Sequence, residues 1–135
     1  MTANAAPEST ERAFASTDRA IDIDNSLQLL AHCRRRFCLY YLLQADESVA
    51  IGELAELIEE SIAPPEAQVT DDVIEEGLVA LVHYHLPKLR DAGLVDVDNG
   101  TVRMASNPEL PIRDWLTTTA TVELPPSQRA AIRPH

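Results

Sequence analysis

The sequence predicts a mainly helical fold closed by a β-hairpin. Three stretches between Asn25 and Asp91 repeat apolar residues at helical spacing, and Pro64-Pro65 and Gly93 punctuate them. Val95–Asp98 and Thr101–Met104 then alternate apolar and polar residues on either side of Asn99-Gly100. Asn-Gly between alternating runs is a strong signal for a two-residue hairpin turn. The expected architecture is three helices with a small sheet of two or three strands.

Residues 1–23 are rich in Ala, Ser, Thr and Glu without clear periodicity, which predicts a disordered or weakly ordered acidic tail. The folded domain is expected over residues 24–106. Asn25, with Gln28 three residues on, fits the cap of a first helix that carries Leu30, Cys33, Phe37 and Tyr41 and stops near Asp46. Leu27, Leu42 and Leu43 widen that stripe to more than one face, a surplus that the tail or another chain must cover. Ser48–Ile51 reads as a short extended stretch able to join the hairpin. The second helix places Leu54, Leu57 and Ile58 inward and Glu53, Glu56, Glu59 and Glu60 outward.

The connection through Pro64-Pro65 is longer than the ~3–4 residues usual between paired helices of this kind. Thr70 caps the third helix, and Asp71 and Asp72 suit its positive end. Ile74, Leu78, Leu81, Val82, His85 and Leu89 continue it; Gly77 weakens it, and Pro87 should kink it near His83. Residues 107–135 form an extension, with a short helix expected at 109–117 and a mobile end beyond it. There are no internal repeats.

Helix, helix, helix, hairpin is the layout of a winged helix-turn-helix. The segments "LLAHCRRRFCLYYL", "IGELAELI" and "HYHLPKLRDAGLV", in that order and followed by a hairpin, resemble the winged-helix repressors of the arsenical-resistance type. They are still more similar to an uncharacterised haloarchaeal winged-helix family in which "RRR" and "HLPKL" recur. The resemblance spans roughly Leu27 to Met104. It implies a dimeric DNA-binding regulator, with the first helix and "IRDWL" as dimer elements. The chain departs from the repressor pattern twice. Asp71, Asp72, Glu75 and Glu76 extend the third helix at the end that commonly approaches bases, where they would oppose phosphates. Pro87 stands where the repressors carry a residue that does not bend the helix.

The charge raises the same question for the whole chain. Its 135 residues hold 22 acidic and 11 basic side chains, a formal −11, and Lys88 is the only lysine against ten arginines. Residues 25–105 hold six basic and fourteen acidic residues, 6 − 14 = −8. An evenly acidic, lysine-poor surface resembles proteins of extreme halophiles, whose self-repulsion is screened by salt. Phosphate contacts lose affinity with log salt at about −0.9 per contact, so a large basic patch contributes little at molar salt. The −11 therefore does not exclude DNA binding in a halophilic archaeon.

Double-stranded DNA is the expected partner, read by His83, Tyr84, Lys88 and Arg90 on the third helix and Asn99 and Arg103 on the hairpin. Lys and Arg clamp phosphates, while Tyr and His reach sugars and bases. Arg34, Arg35 and Arg36 are candidates for added phosphate contacts, against the alternative of a solvated face with one arginine paired inside the domain. A protein-binding module acting through the same surface, or through Leu27–Leu43 and Trp115, is the competing class.

Other classes find no support. His83 and His85 point to opposite sides of a helix, so one packs and one is exposed. Cys33 and Cys38 lie ~140° apart around a helix, too far to chelate one ion together. No metal or other cofactor is expected. No GxSxG, HExxH, phosphate-loop or dinucleotide motif occurs, so an enzyme is not expected. The N-terminus has no secretion signal and no apolar run reaches ~18 residues, which predicts a cytoplasmic protein.

Overall fold

A computed structural model describes residues 23–106 and 112–124. Among the described residues, six α-helical segments and one π-helical turn accompany a three-stranded antiparallel sheet, in a winged-helix-like arrangement. Residues 1–22 of the tail expected over 1–23, the link 107–111 and the end from 125 onward lie outside the described residues, and Ile23 is already helical.

The first helix is two. Residues 23–30 form α1 and Cys33–Gln44 form α2. Between them His32 adopts an extended backbone, and its Nδ1 accepts the Arg34 N–H at 3.3 Å. Asn25 therefore lies within α1 instead of capping the long helix. The apolar spacing runs through the break and hid it, because a cap depends on one side chain and not on periodicity.

Helix α2 buries Arg35, Phe37, Cys38, Leu39, Tyr40 and Leu42, which is most of its circumference. The surplus apolar face is covered from within the chain. Ile112–Glu123 form α6, a helix that runs past the expected end at 117, and its Ile112, Leu116 and Ala120 join the same core. The Tyr40 hydroxyl donates to Glu123 Oε1 at 2.6 Å and lies 2.7 Å from Thr119 Oγ1. Arg36 holds both oxygens of Glu123, at 2.6 and 2.8 Å. The extension thus belongs to the domain's core, and the residues expected to face a partner chain are largely consumed there.

Val49–Ala50 (β1) pairs with Thr101–Met104 (β3), which pairs in turn with Val95–Asp98 (β2). Val95 and Val102 face the core, as the alternation requires. Asn99 (φ 48°) and Gly100 (φ 79°) both occupy the left-handed region that a type I′ turn needs. Ile51–Ile62 form α3 and Asp71–Ala80 form α4. Thr70 caps α4 by accepting the Val73 N–H at 3.3 Å.

Helix α4 runs without interruption into a π turn, Leu81–His85, and then α5, Leu86–Asp91. Pro87 has no N–H to offer His83, and its ring crowds that carbonyl. The backbone responds by widening: the Leu86 N–H reaches back five residues to the Leu81 carbonyl. The expected kink is thus a π turn. Past α5, Leu94 N–H bonds to Leu89 O at 3.0 Å and Gly93 N–H to Arg90 O at 2.9 Å, a Schellman closure with Gly93 at φ 78°. Chain reversal there delivers the hairpin directly beside the last helix.

Gly77 does not break α4. A Cβ on it would stand 2.7 Å from Cγ, Cδ and Oε2 of Glu59 on α3, so the glycine permits the two helices to meet over a carboxylate. Glu59 is only 4% exposed, against the expectation that it faces out.

Candidate nucleic-acid interface

Burial along the π turn and α5 separates an inward side, Leu81, His85, Leu86 and Leu89, from an exposed one. Val82, His83 and Tyr84 are exposed in succession, while His85, one turn after buried Leu81, is itself buried. One histidine exposed and one packed is the division expected from their spacing.

Lys88 and Arg90 are exposed one turn further on. Lys88 Nζ lies 5.0 Å from the centre of the Tyr84 ring, and the Arg35 guanidinium 5.3 Å from the same ring. Two cations against one aromatic ring fix its orientation, since the ring's negative face attracts both. On the hairpin, Asn99 is exposed at the tip. Arg103 on β3 stands 3.8 Å from Asp96 on β2; both side chains are more than half exposed, so this pair contributes little and leaves Arg103 free to move. His83, Tyr84, Lys88 and Arg90 are thus all exposed between Leu81 and Asp91, with Tyr84 and Lys88 in contact, and Asn99 and Arg103 are exposed on the hairpin that follows.

The arginine triplet is placed differently. Arg34 makes a bidentate pair with Glu59 at 3.0 and 3.1 Å, and Arg36 one with Glu123. Arg35 is 7% exposed and donates from Nε to His85 Nδ1 at 3.3 Å and from Nη1 to the Leu29 carbonyl at 3.4 Å. Arg34 and Arg36 thus spend their forks on carboxylates, although Arg34 keeps 36% of its side chain exposed. Two arginines pair inside the domain where the alternative reading gave one.

Burial and the flanking arginines set the histidines. His85 is pulled down to about 4, first by burial and then by the charges of His32, Arg35 and Arg34. It is neutral at pH 7, which leaves Nδ1 free to accept from Arg35. His32, 4.5 Å away ring to ring, is lowered for the same reasons. The Arg36 guanidinium lowers the Glu123 carboxyl, and burial raises the Tyr40 hydroxyl. Burial pushes the Cys38 thiol up to about 12, which makes it inert as a nucleophile or ligand.

Sequence reasoning missed Glu59, Glu123 and His32. A signal for Glu59 existed: it follows Ala55 by four residues on the buried side of α3 and faces a glycine. Glu123 carried none, because it lies 87 positions from Arg36.

The model of one family, a domain of unknown function (DUF7344), matches residues 27–104, more than half of the chain. The chain belongs to DUF7344. The matched DUF7344 region runs from within α1 to the end of β3, so it contains α5 and the hairpin but not α6. No curated protein and no solved structure gives a significant match. Among the described residues of this DUF7344 chain, no helix is long and apolar enough to cross a membrane.

Proposed function

We propose that this DUF7344 domain is a non-enzymatic, cytoplasmic DNA-binding transcriptional regulator of a halophilic archaeon, in the manner of the arsenical-resistance-type repressors it resembles. The observation that carries the reading is the exposed set His83, Tyr84, Lys88 and Arg90 on the helix that leads straight into a hairpin bearing Arg103. Tyr84, held by two cations, is pre-oriented for a sugar or base contact. Lys88 and Arg103 are the phosphate-binding groups. The even acidity and the single lysine support the halophilic setting, where shape and hydrogen bonding outweigh counterion release.

Titration with genomic DNA fragments in multimolar KCl tests this reading. Retardation that disappears in Lys88→Glu, at an unchanged melting temperature, supports it; no retardation by the parent protein refutes it. For a homodimer, α1 offers exposed Ile23 and Leu27, and α4 offers Val73 and Val79, whereas most apolar residues of α2 are buried. Chromatographic mass in high salt decides that point.

One observation favours a protein partner instead. Helix α4 exposes Val73 and Val79, with Val82 beyond them, beside Asp71, Asp72, Glu75 and Glu76. Exposed apolar residues set among carboxylates disfavour a duplex and suit a basic protein surface. Recovery of a specific partner by pull-down, together with failure to bind DNA, would select this reading.

A further inference from the structure

We propose that the recess between α1, the start of α2 and α5 binds a small anion, a carboxylate- or phosphate-bearing metabolite, through Arg35 and Lys88. Arg35 stands apart from its neighbours in charge pairing. Arg34 and Arg36 each hold a carboxylate in both hands, whereas Arg35 is the most buried of the three and, among the described residues, has no carboxylate within ion-pair distance. A guanidinium removed from water without a counter-charge is costly unless something anionic completes it. Neutral His85 and one carbonyl satisfy Nε and Nη1; Nη2 has no acceptor among the described residues and is not sealed off.

That guanidinium, which meets the Tyr84 ring but no carboxylate among the described residues, lines an open cavity of about 630 Å³, within the range of small-molecule sites. Lys88, the only lysine of the chain, lines the same cavity, with Tyr84, His32, Asn25 and Gln28 around it. The one carboxylate there, Asp91, makes no ion pair with either cation. In a chain of net charge −11, two cations converge on a recess that also offers amide and imidazole donors. Planar guanidinium forks match carboxylate and phosphate oxygens. The proposed anion is a small free one, because Arg35 is only 7% exposed and so offers little surface to the backbone of a duplex. This site does not depend on the DNA reading of the outer face.

The test uses the full chain, with inorganic phosphate and, separately, succinate as probes, at an ionic strength held constant with KCl. Calorimetry should show one saturable site with a dissociation constant on the order of millimolar, as two charge-assisted contacts in an open recess allow. Nuclear magnetic resonance should place the change at the Arg35 Nε–H and the Tyr84 ring. Arg35→Gln should weaken binding at least tenfold. Lys88→Gln, on the exposed rim, should weaken it severalfold and keeps the test decisive should Arg35→Gln not fold. No binding beyond the KCl control, or equal binding by the folded variants, overturns the proposal. Displacement of phosphate by a short duplex, with the same dependence on Arg35, overturns it too and assigns the recess to a DNA phosphate.

Discussion

Substituting Gly77 by alanine separates local helix propensity from tertiary packing. In an exposed helix interior the change stabilises by ~1 kcal/mol, because glycine loses the most backbone freedom. Here the added Cβ would lie 2.7 Å from three side-chain atoms of Glu59. A free glutamate would swing away at little cost. Glu59 cannot, since it is 4% exposed and its two oxygens are held by Arg34 at 3.0 and 3.1 Å.

Overpacking of this kind costs ~1–3 kcal/mol, and breaking a buried pair costs ~3–5 kcal/mol. Arg34 is 36% exposed, so water recovers part of the second amount. Against the propensity gain, the expected net loss is ~2 kcal/mol, a fall in melting temperature of about 10 °C for a domain of this size. Thermal unfolding at constant salt measures it. A double-mutant cycle sharpens the result: with Glu59→Ala already in place, Gly77→Ala should stabilise, giving a coupling of ~3 kcal/mol. A raised melting temperature in the single variant, or the same loss in both backgrounds, would refute the account of Gly77.

Stability should also fall with pH through His85, whose folded pKa of about 4 lies below its ordinary 6.5. The fold favours the neutral ring, so this contribution is complete above pH 6.5 and is lost as pH drops towards 4, by about 2 kcal/mol at pH 5. The difference in unfolding free energy between the parent and His85→Gln, followed from pH 7 to 5, should shrink by that amount; a constant difference contradicts it. Glu123→Ala strips Arg36 of its partner and Tyr40 of an acceptor, and should cost ~2 kcal/mol in denaturant unfolding. Replacing Asn99 by valine forces a β-branched residue to φ 48° and should destabilise the hairpin by ~1–2 kcal/mol, readable as faster amide exchange in β2 and β3.

Much of the fold was legible because it is written in short-range patterns. The Thr70 cap, the Gly93 closure, the Asn99-Gly100 turn and the Val95/Val102 alternation each depend on a few adjacent residues with fixed backbone demands. The exposed residues on the helix before the hairpin were readable for the same reason, since Leu81, His85 and Leu89 mark its inward side. Pro87 announced a disturbance but not its form. Whether a helix bends or widens around a missing N–H depends on what packs against it, and here burial of Leu81 and His85 goes with the π turn.

The sequence by itself determined the element order, the hairpin, the acidic surface and the side of the last helix that meets solvent. These come from periodicity, local turn chemistry and counting. Only the tertiary structure decided where the arginines go. Arg34, Arg35 and Arg36 are adjacent and chemically identical, yet they meet a glutamate 25 positions away, a histidine 50 away and a glutamate 87 away. No local rule distinguishes them, because a charge's role is fixed by the counter-charge and the solvent around it, and both arrive only when distant segments pack.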